Sequence, residues 1–158
     1  MKTMKLPLLV LAIVFLLLGC VPERSSGGVE TLRFSLIPAD DAAEMLRAYQ
    51  PVKEYLEDTL GMDVELTVTT DYTAAIEAMR SGHTEIGWFG PFSYVLAAKE
   101  AGAEAIVVGV RRDSGLTTYR SVLVTRADSG IETMEDLKGS SFAFVDPAST
   151  SGNLIARK

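Results

Sequence analysis

At 158 residues with 47% hydrophobic and 23% charged side chains, the chain has the composition of a globular protein and length for one domain, or one and part of another. A formal net charge of −6 argues against nucleic acid as a partner, since such binding needs a basic patch. It does not exclude small anions, which a few local N–H and hydroxyl donors can hold.

Lys2 and Lys5 precede an apolar run, residues 6–18, too short to span a bilayer and suited to the core of a secretory leader. The run ends in Leu17-Leu18-Gly19-Cys20, which resembles the lipobox of bacterial lipoproteins. The competing reading is a signal anchor with an incidental cysteine; the position and flanks of Cys20 favour the lipobox. The resemblance implies a leader over 1–19, cleavage before Cys20 and lipidation of that residue, with the folded part held at a membrane surface. Cys20 is the one cysteine of the chain, so no intrachain disulfide can form. Residues 20–28, lipidated Cys20 followed by VPERSSGG, read as a tether.

From there strand and helix patterns alternate. Residues 31–37 predict a strand ended by Pro38. Asp40 and Asp41 suit a helix N-cap and first turn, followed by a stripe of Ala43, Met45, Leu46 and Tyr49. Pro51 either kinks this helix or opens a second piece, whose Val52, Tyr55, Leu56 and Leu60 share a face up to Gly61. Residues 64–68 alternate strictly and predict a second strand. A helix opens at Asp71-Tyr72-Thr73 with Ala75, Ile76 and Met79 inward, and a third short strand covers 85–89. Gly90-Pro91 turns the chain into a helix over 92–101. Residues 105–110 form a continuous apolar run, the pattern of a strand covered on both faces. This succession predicts an α/β domain with a largely parallel sheet, the lobe spanning 29–118. Beyond it, residues 119–125 predict a crossing strand, 131–139 a loop and short helix, and 141–145 a further strand. The stretch Asp146-Pro147-Ala148-Ser149-Thr150-Ser151-Gly152 then opens a helix. Residues 119–158 therefore read as the crossing and the beginning of a second lobe.

Taken in order, Tyr49-Gln50-Pro51, Asp71-Tyr72, Trp88-Phe89-Gly90-Pro91, Tyr119-Arg120-Ser121-Val122, Asp136-Leu137-Lys138-Gly139 and Asp146-Pro147 with Ser149-Thr150-Ser151-Gly152 are similar to the phosphonate/phosphate/phosphite substrate-binding receptors of ABC transporters. No single piece is diagnostic; the ordered set carries the likeness. It implies a periplasmic-binding-protein-like α/β fold with one largely complete lobe and the start of a second. It also implies a ligand held between lobes, ABC permease and ATPase subunits as partners, no cofactor and no catalysis. Members of that family run to about twice this length, so the chain is expected to be an amino-terminal fragment. Asn153 departs from the pattern, an aromatic being common there.

Ser149, Thr150 and Ser151 are placed by this reading at a helix N-terminus, where free N–H groups and short hydroxyls can hold an oxyanion without Lys or Arg. An ordinary N-cap is the plainer explanation of such residues. The resemblance further implies that the phenols of Tyr72 and Tyr119 donate to the ligand. Trp88, Phe89 and Tyr94 are candidates for an apolar wall, with core packing an equal claim for Trp88. Asp71 reads as a helix cap, Arg120 as an exposed or salt-bridged strand residue, and His83 as a surface residue without partners for a metal. A sensory or chemotaxis ligand-binding domain of the same fold is an alternative. An extracytoplasmic enzyme is disfavoured, since no histidine or metal cluster accompanies a nucleophile.

Overall fold

The computed structural model describes residues 30–158, of which 31–158 form one compact unit. The expected leader, Cys20 and the tether lie outside the described residues. Three strands, β1 (Thr31–Leu36), β2 (Asp63–Val68) and β3 (Ile86–Trp88), make a parallel sheet in the order β2-β1-β3. Phe34 is in register with Leu66 on one side and Ile86 on the other, and Leu36 with Val68 and Trp88. Successive strands are joined by α1 (Ala42–Leu60) and α2 (Tyr72–Arg80), and α3 (Pro91–Ala101) follows β3.

Alternation along β1 divides the core in two. Phe34 and Leu36 pack with Met45 of α1 and Val64 of β2, while Ile37 packs with Tyr72 and Ala75 of α2. Leu36 is wholly excluded from water, and its truncation to Ala would cost roughly 2–5 kcal/mol. Because the chain leaves β1 toward β2 and then crosses to β3, β1 is the point where strand order reverses. In open parallel sheets ligand crevices form outside the carboxyl ends of the strands at such a point.

Asp41 caps α1 by accepting from the N–H groups of Ala43 and Glu44 (both 3.1 Å), and Gly61 closes it at φ 67°, a left-handed conformation that glycine adopts without a Cβ penalty. Pro51 lies inside this one continuous helix. An interior proline costs ~3 kcal/mol; burial of Met45 and Tyr49 before it and Leu56 after it, all against the sheet, offsets that cost. The expected inward stripe is therefore rotated. Met45, Tyr49 and Leu56 face the sheet, whereas Leu46, Val52, Tyr55 and Leu60 are exposed. Glu57 and Lys53 take up the inward positions between them: the Val64 N–H donates to Glu57 Oε1 (3.0 Å), and Lys53 Nζ bonds both Glu57 and the Val64 carbonyl. Sequence periodicity could not show that two charged residues tie α1 to the start of β2.

Beyond α3 three expected strands do not form. Residues 105–110, 119–125 and 141–145 have no strand partner among the described residues, and the one regular element from residue 103 to 148 is the short turn of helix Glu135–Leu137. Ile106 is 76% exposed and Val124 88%. Apolar, β-branched composition suits a strand, but a strand exists only where another edge accepts its N–H and C=O groups. These segments are instead held by scattered contacts, Val145 by its N–H to the Gly152 carbonyl (2.9 Å). The Trp88 indole lies against Gly109, and the Ser121 hydroxyl donates to the Ser151 carbonyl (2.7 Å).

Candidate functional site

The carboxyl ends of β2 and β3 feed directly into the N-termini of α2 and α3, so two sets of unpaired helix N–H groups meet on one side of the sheet. Asp71 caps α2 through Ala74 N–H (2.7 Å), as expected of it. At α3 the Gly90 N–H donates to the Ser93 hydroxyl (2.9 Å), and Pro91 takes the first helical position, where a missing N–H costs nothing.

Residues 146–154 pack onto these two N-termini. The Tyr72 N–H donates to Asp146 Oδ2 (3.1 Å), and the Phe92 N–H donates to the Thr150 hydroxyl (2.8 Å). Ala148 is buried in the cluster of Ile37, Tyr72 and Ala75, which Phe89 borders. From Thr150 to Leu154 the chain makes a single wide helical turn, with Leu154 N–H to Ser149 O (3.0 Å) and Ile155 N–H to Thr150 O (2.9 Å). Ser149 is its cap and accepts from the Gly152 N–H (3.2 Å). Gly152 is required there, because a Cβ would stand 2.6 Å from Val145 Cβ. Asn153, at the departure from the family pattern, is buried with both ends of its amide used: Nδ2 donates to the Val145 carbonyl (3.1 Å), and Oδ1 accepts from Arg157 Nε (2.7 Å).

Tyr72 and Ser149 are each 5% exposed and lie near one another. Burial pushes the Tyr72 phenol above its ordinary pKa, against a smaller lowering effect of the nearby Ser149 hydroxyl. The nearby Asp146 carboxylate raises it further. Tyr72 therefore stays a neutral O–H donor across the physiological range. Tyr119 is 47% exposed. Of the five expected ligand residues, Tyr72 and Ser149 are buried near one another, and Thr150 meets the N-terminus of α3. Ser151 is half-buried and held through its carbonyl by Ser121.

Trp88 packs with Tyr49 (ring centroids 5.7 Å) on the α1 face, the side of the sheet away from Tyr72, so it belongs to the core. Phe89 alone of the proposed apolar wall borders the site. Arg120 and His83 are exposed, and no cluster of metal-ligating side chains exists among the described residues. Sequence reasoning assigned no role to Asp146. An Asp-Pro pair ahead of a serine-rich turn signals an Asx turn, here closed by Ala148 N–H to Asp146 Oδ1 (2.7 Å). Its second bond, to Tyr72, has no local signal.

A parallel α/β sheet with hydroxyls and helix N-termini gathered at its switch point has the architecture of one lobe of a two-lobed α/β protein. The particular family follows from comparison. The model of the family described as ABC transporter, phosphonate, periplasmic substrate-binding protein matches residues 34–158, and the chain belongs to that family. It is 35% identical over 133 residues to the phosphate-import protein PhnD of Mycolicibacterium smegmatis, covering 82% of this chain and 41% of that protein. It is 30% identical over 138 residues to the phosphonates-binding periplasmic protein of Escherichia coli, covering 85% of this chain and 40% of that one. The crystal structure of a binding-protein component of an ABC phosphonate transporter from Pseudomonas aeruginosa superposes with a TM-score of 0.75 at 26% identity, covering 79% of this chain and 42% of the other. The chain thus spans about two fifths of the length of the curated relatives it matches.

Proposed function

We propose that this chain contributes the first lobe and the opening turn of the second lobe of an extracytoplasmic receptor that captures a phosphorus oxyanion for an ABC permease and its ATPase. Lobe one spans 29–118 and the crossing and second-lobe start 119–158; Cys20 anchors the protein to the membrane through lipid. The observation that supports the reading is the seating of the hydroxyl turn on the N-termini of α2 and α3, through Tyr72 N–H to Asp146 and Phe92 N–H to Thr150, with Tyr72 and Ser149 both buried there. Each ligand oxygen can take a phenol O–H, a serine or threonine O–H or a helix N–H, and none of these needs a cationic side chain. Because the Thr150 oxygen already accepts from Phe92 N–H, its own proton is free to point at an anion. Ser151 and Tyr119 complete the proposed donor set. Phosphate import and phosphonate binding, named for the two relatives, share the phosphoryl oxygens that such donors read.

Capture of this kind involves no bond-making, so the protein is read as a carrier rather than an enzyme. Isothermal titration of a two-lobed protein carrying this lobe, with inorganic phosphate, methylphosphonate, sulfate and an amino acid, tests the ligand class, this chain alone being expected to bind weakly. Binding of a phosphorus oxyanion, weakened about tenfold by Ser149→Ala through loss of one hydrogen bond to a charged group, is the expected result. Binding of sulfate or an amino acid, with no response to either phosphorus ligand, overturns it.

A further inference from the structure

We infer that Asp146 is a carboxylate latch that sets the position of the hydroxyl turn against α2 before any ligand arrives. The residue acts through its neighbours and is a positioning residue, touching no proposed ligand atom itself. Its two oxygens do separate jobs. Oδ1 accepts from Ala148 N–H (2.7 Å) and closes the turn that presents Ser149; Oδ2 accepts from Tyr72 N–H (3.1 Å), 74 residues away in sequence, at the first residue of α2. One carboxylate thereby fixes the backbone of Tyr72 and the backbone leading into Ser149, two residues buried near one another. Burial of Ala148 among Ile37, Tyr72 and Ala75 seats the same turn from below.

The chemistry requires a carboxylate. Two N–H donors converge on one side chain, and only an ionised carboxyl offers an acceptor oxygen to each; an amide offers one oxygen and a donor group. A negative charge is also favoured at the first N–H of a helix. Presetting donor geometry lowers the ordering cost of binding, so the latch contributes to affinity without contacting the ligand.

The test has two arms, of which the first does not depend on the proposed ligand. Amide exchange followed by NMR in ligand-free protein compares wild type with Asp146→Asn and Asp146→Ala. Asp146→Ala is expected to speed exchange at both Tyr72 and Ala148 about tenfold, as loss of a charge-assisted hydrogen bond implies. Asp146→Asn is expected to do so at one of the two, while the Leu36 amide in the sheet is unchanged. Unaltered exchange at Tyr72 and Ala148 in Asp146→Ala overturns the latch, and so does acceleration at Leu36 alongside them, which marks general loosening. The second arm, resting on the ligand reading, titrates inorganic phosphate into a two-lobed protein carrying this lobe. Asp146→Ala should bind about tenfold more weakly with Tyr72 and Ser149 intact, and unchanged affinity refutes the positioning role. If wild type binds no phosphate, the ligand reading falls while the exchange data still decide the latch.

Discussion

Thr150→Val isolates one hydroxyl at the meeting of the hydroxyl turn with α3. Valine has nearly the shape of threonine, so the substitution leaves no cavity and removes only the oxygen that accepts from Phe92 N–H at 2.8 Å. The contact is partly buried, and Phe92 N–H is among the first N–H groups of α3 with no intrahelical acceptor. Removing the partner of such a donor leaves it desolvated and unmatched, a loss of about 1–3 kcal/mol. Partial access of water places the expectation near the lower half of that range, ~1–2 kcal/mol. With a urea slope of about 1.5 kcal/mol per molar for a domain of this size, the midpoint should fall by roughly 1 M. Thr150→Ser keeps the oxygen and should retain most of the difference, losing only what the methyl group contributes. The assay is urea unfolding followed by circular dichroism for the three proteins side by side. Equal midpoints for Thr150→Val and wild type would show that the Thr150–Phe92 contact does not hold the turn to α3. A fall for Thr150→Ser as large as that for Thr150→Val would assign the effect to packing rather than to the hydroxyl.

Two further expectations concern the same region. The Tyr72 phenol has a folded-state pKa raised by burial, so its neutral form stabilises the fold fully below the unfolded value of about 10 and that contribution is lost as pH rises through the folded value. Thermal unfolding scanned from pH 8 to about 11.5 should show an alkaline fall that Tyr72→Phe reduces, and identical pH profiles for the two proteins would contradict the buried-phenol assignment. Gly152→Ala places a methyl 2.6 Å from Val145 Cβ, an atom that no rotamer change can move. A cost of about 1–3 kcal/mol is expected from forcing the backbones apart, read as a lower melting temperature together with faster exchange of the Val145 N–H that donates to the Gly152 carbonyl (2.9 Å); an unshifted melting curve would disprove the close approach.

Local chemistry was enough for much of the first lobe. Periodicity located β1, β2, β3 and all three helices because each bears its own signals: alternation in residues 64–68, Asp41 and Asp71 as caps, Gly61 as a stop, Gly90-Pro91 as a start. Ser149, Thr150 and Ser151 were legible as a helix opening for the same reason, and the ordered resemblance singled out Tyr72 and Tyr119. Tertiary structure alone decided which face of α1 is inward, since Leu46 and Val52 satisfy helical spacing as well as Met45 and Tyr49 do. It also decided that Trp88 lies on the α1 side, and that the apolar runs 105–110, 119–125 and 141–145 find no strand partner among the described residues, a strand being a relation between two segments rather than a property of one. The roles of Asp146 and Thr150 belong to this second kind. Each side chain completes the hydrogen bonding of a helix that begins dozens of residues earlier, and a helix end left open by its own segment can be matched only when folding brings a distant acceptor to it.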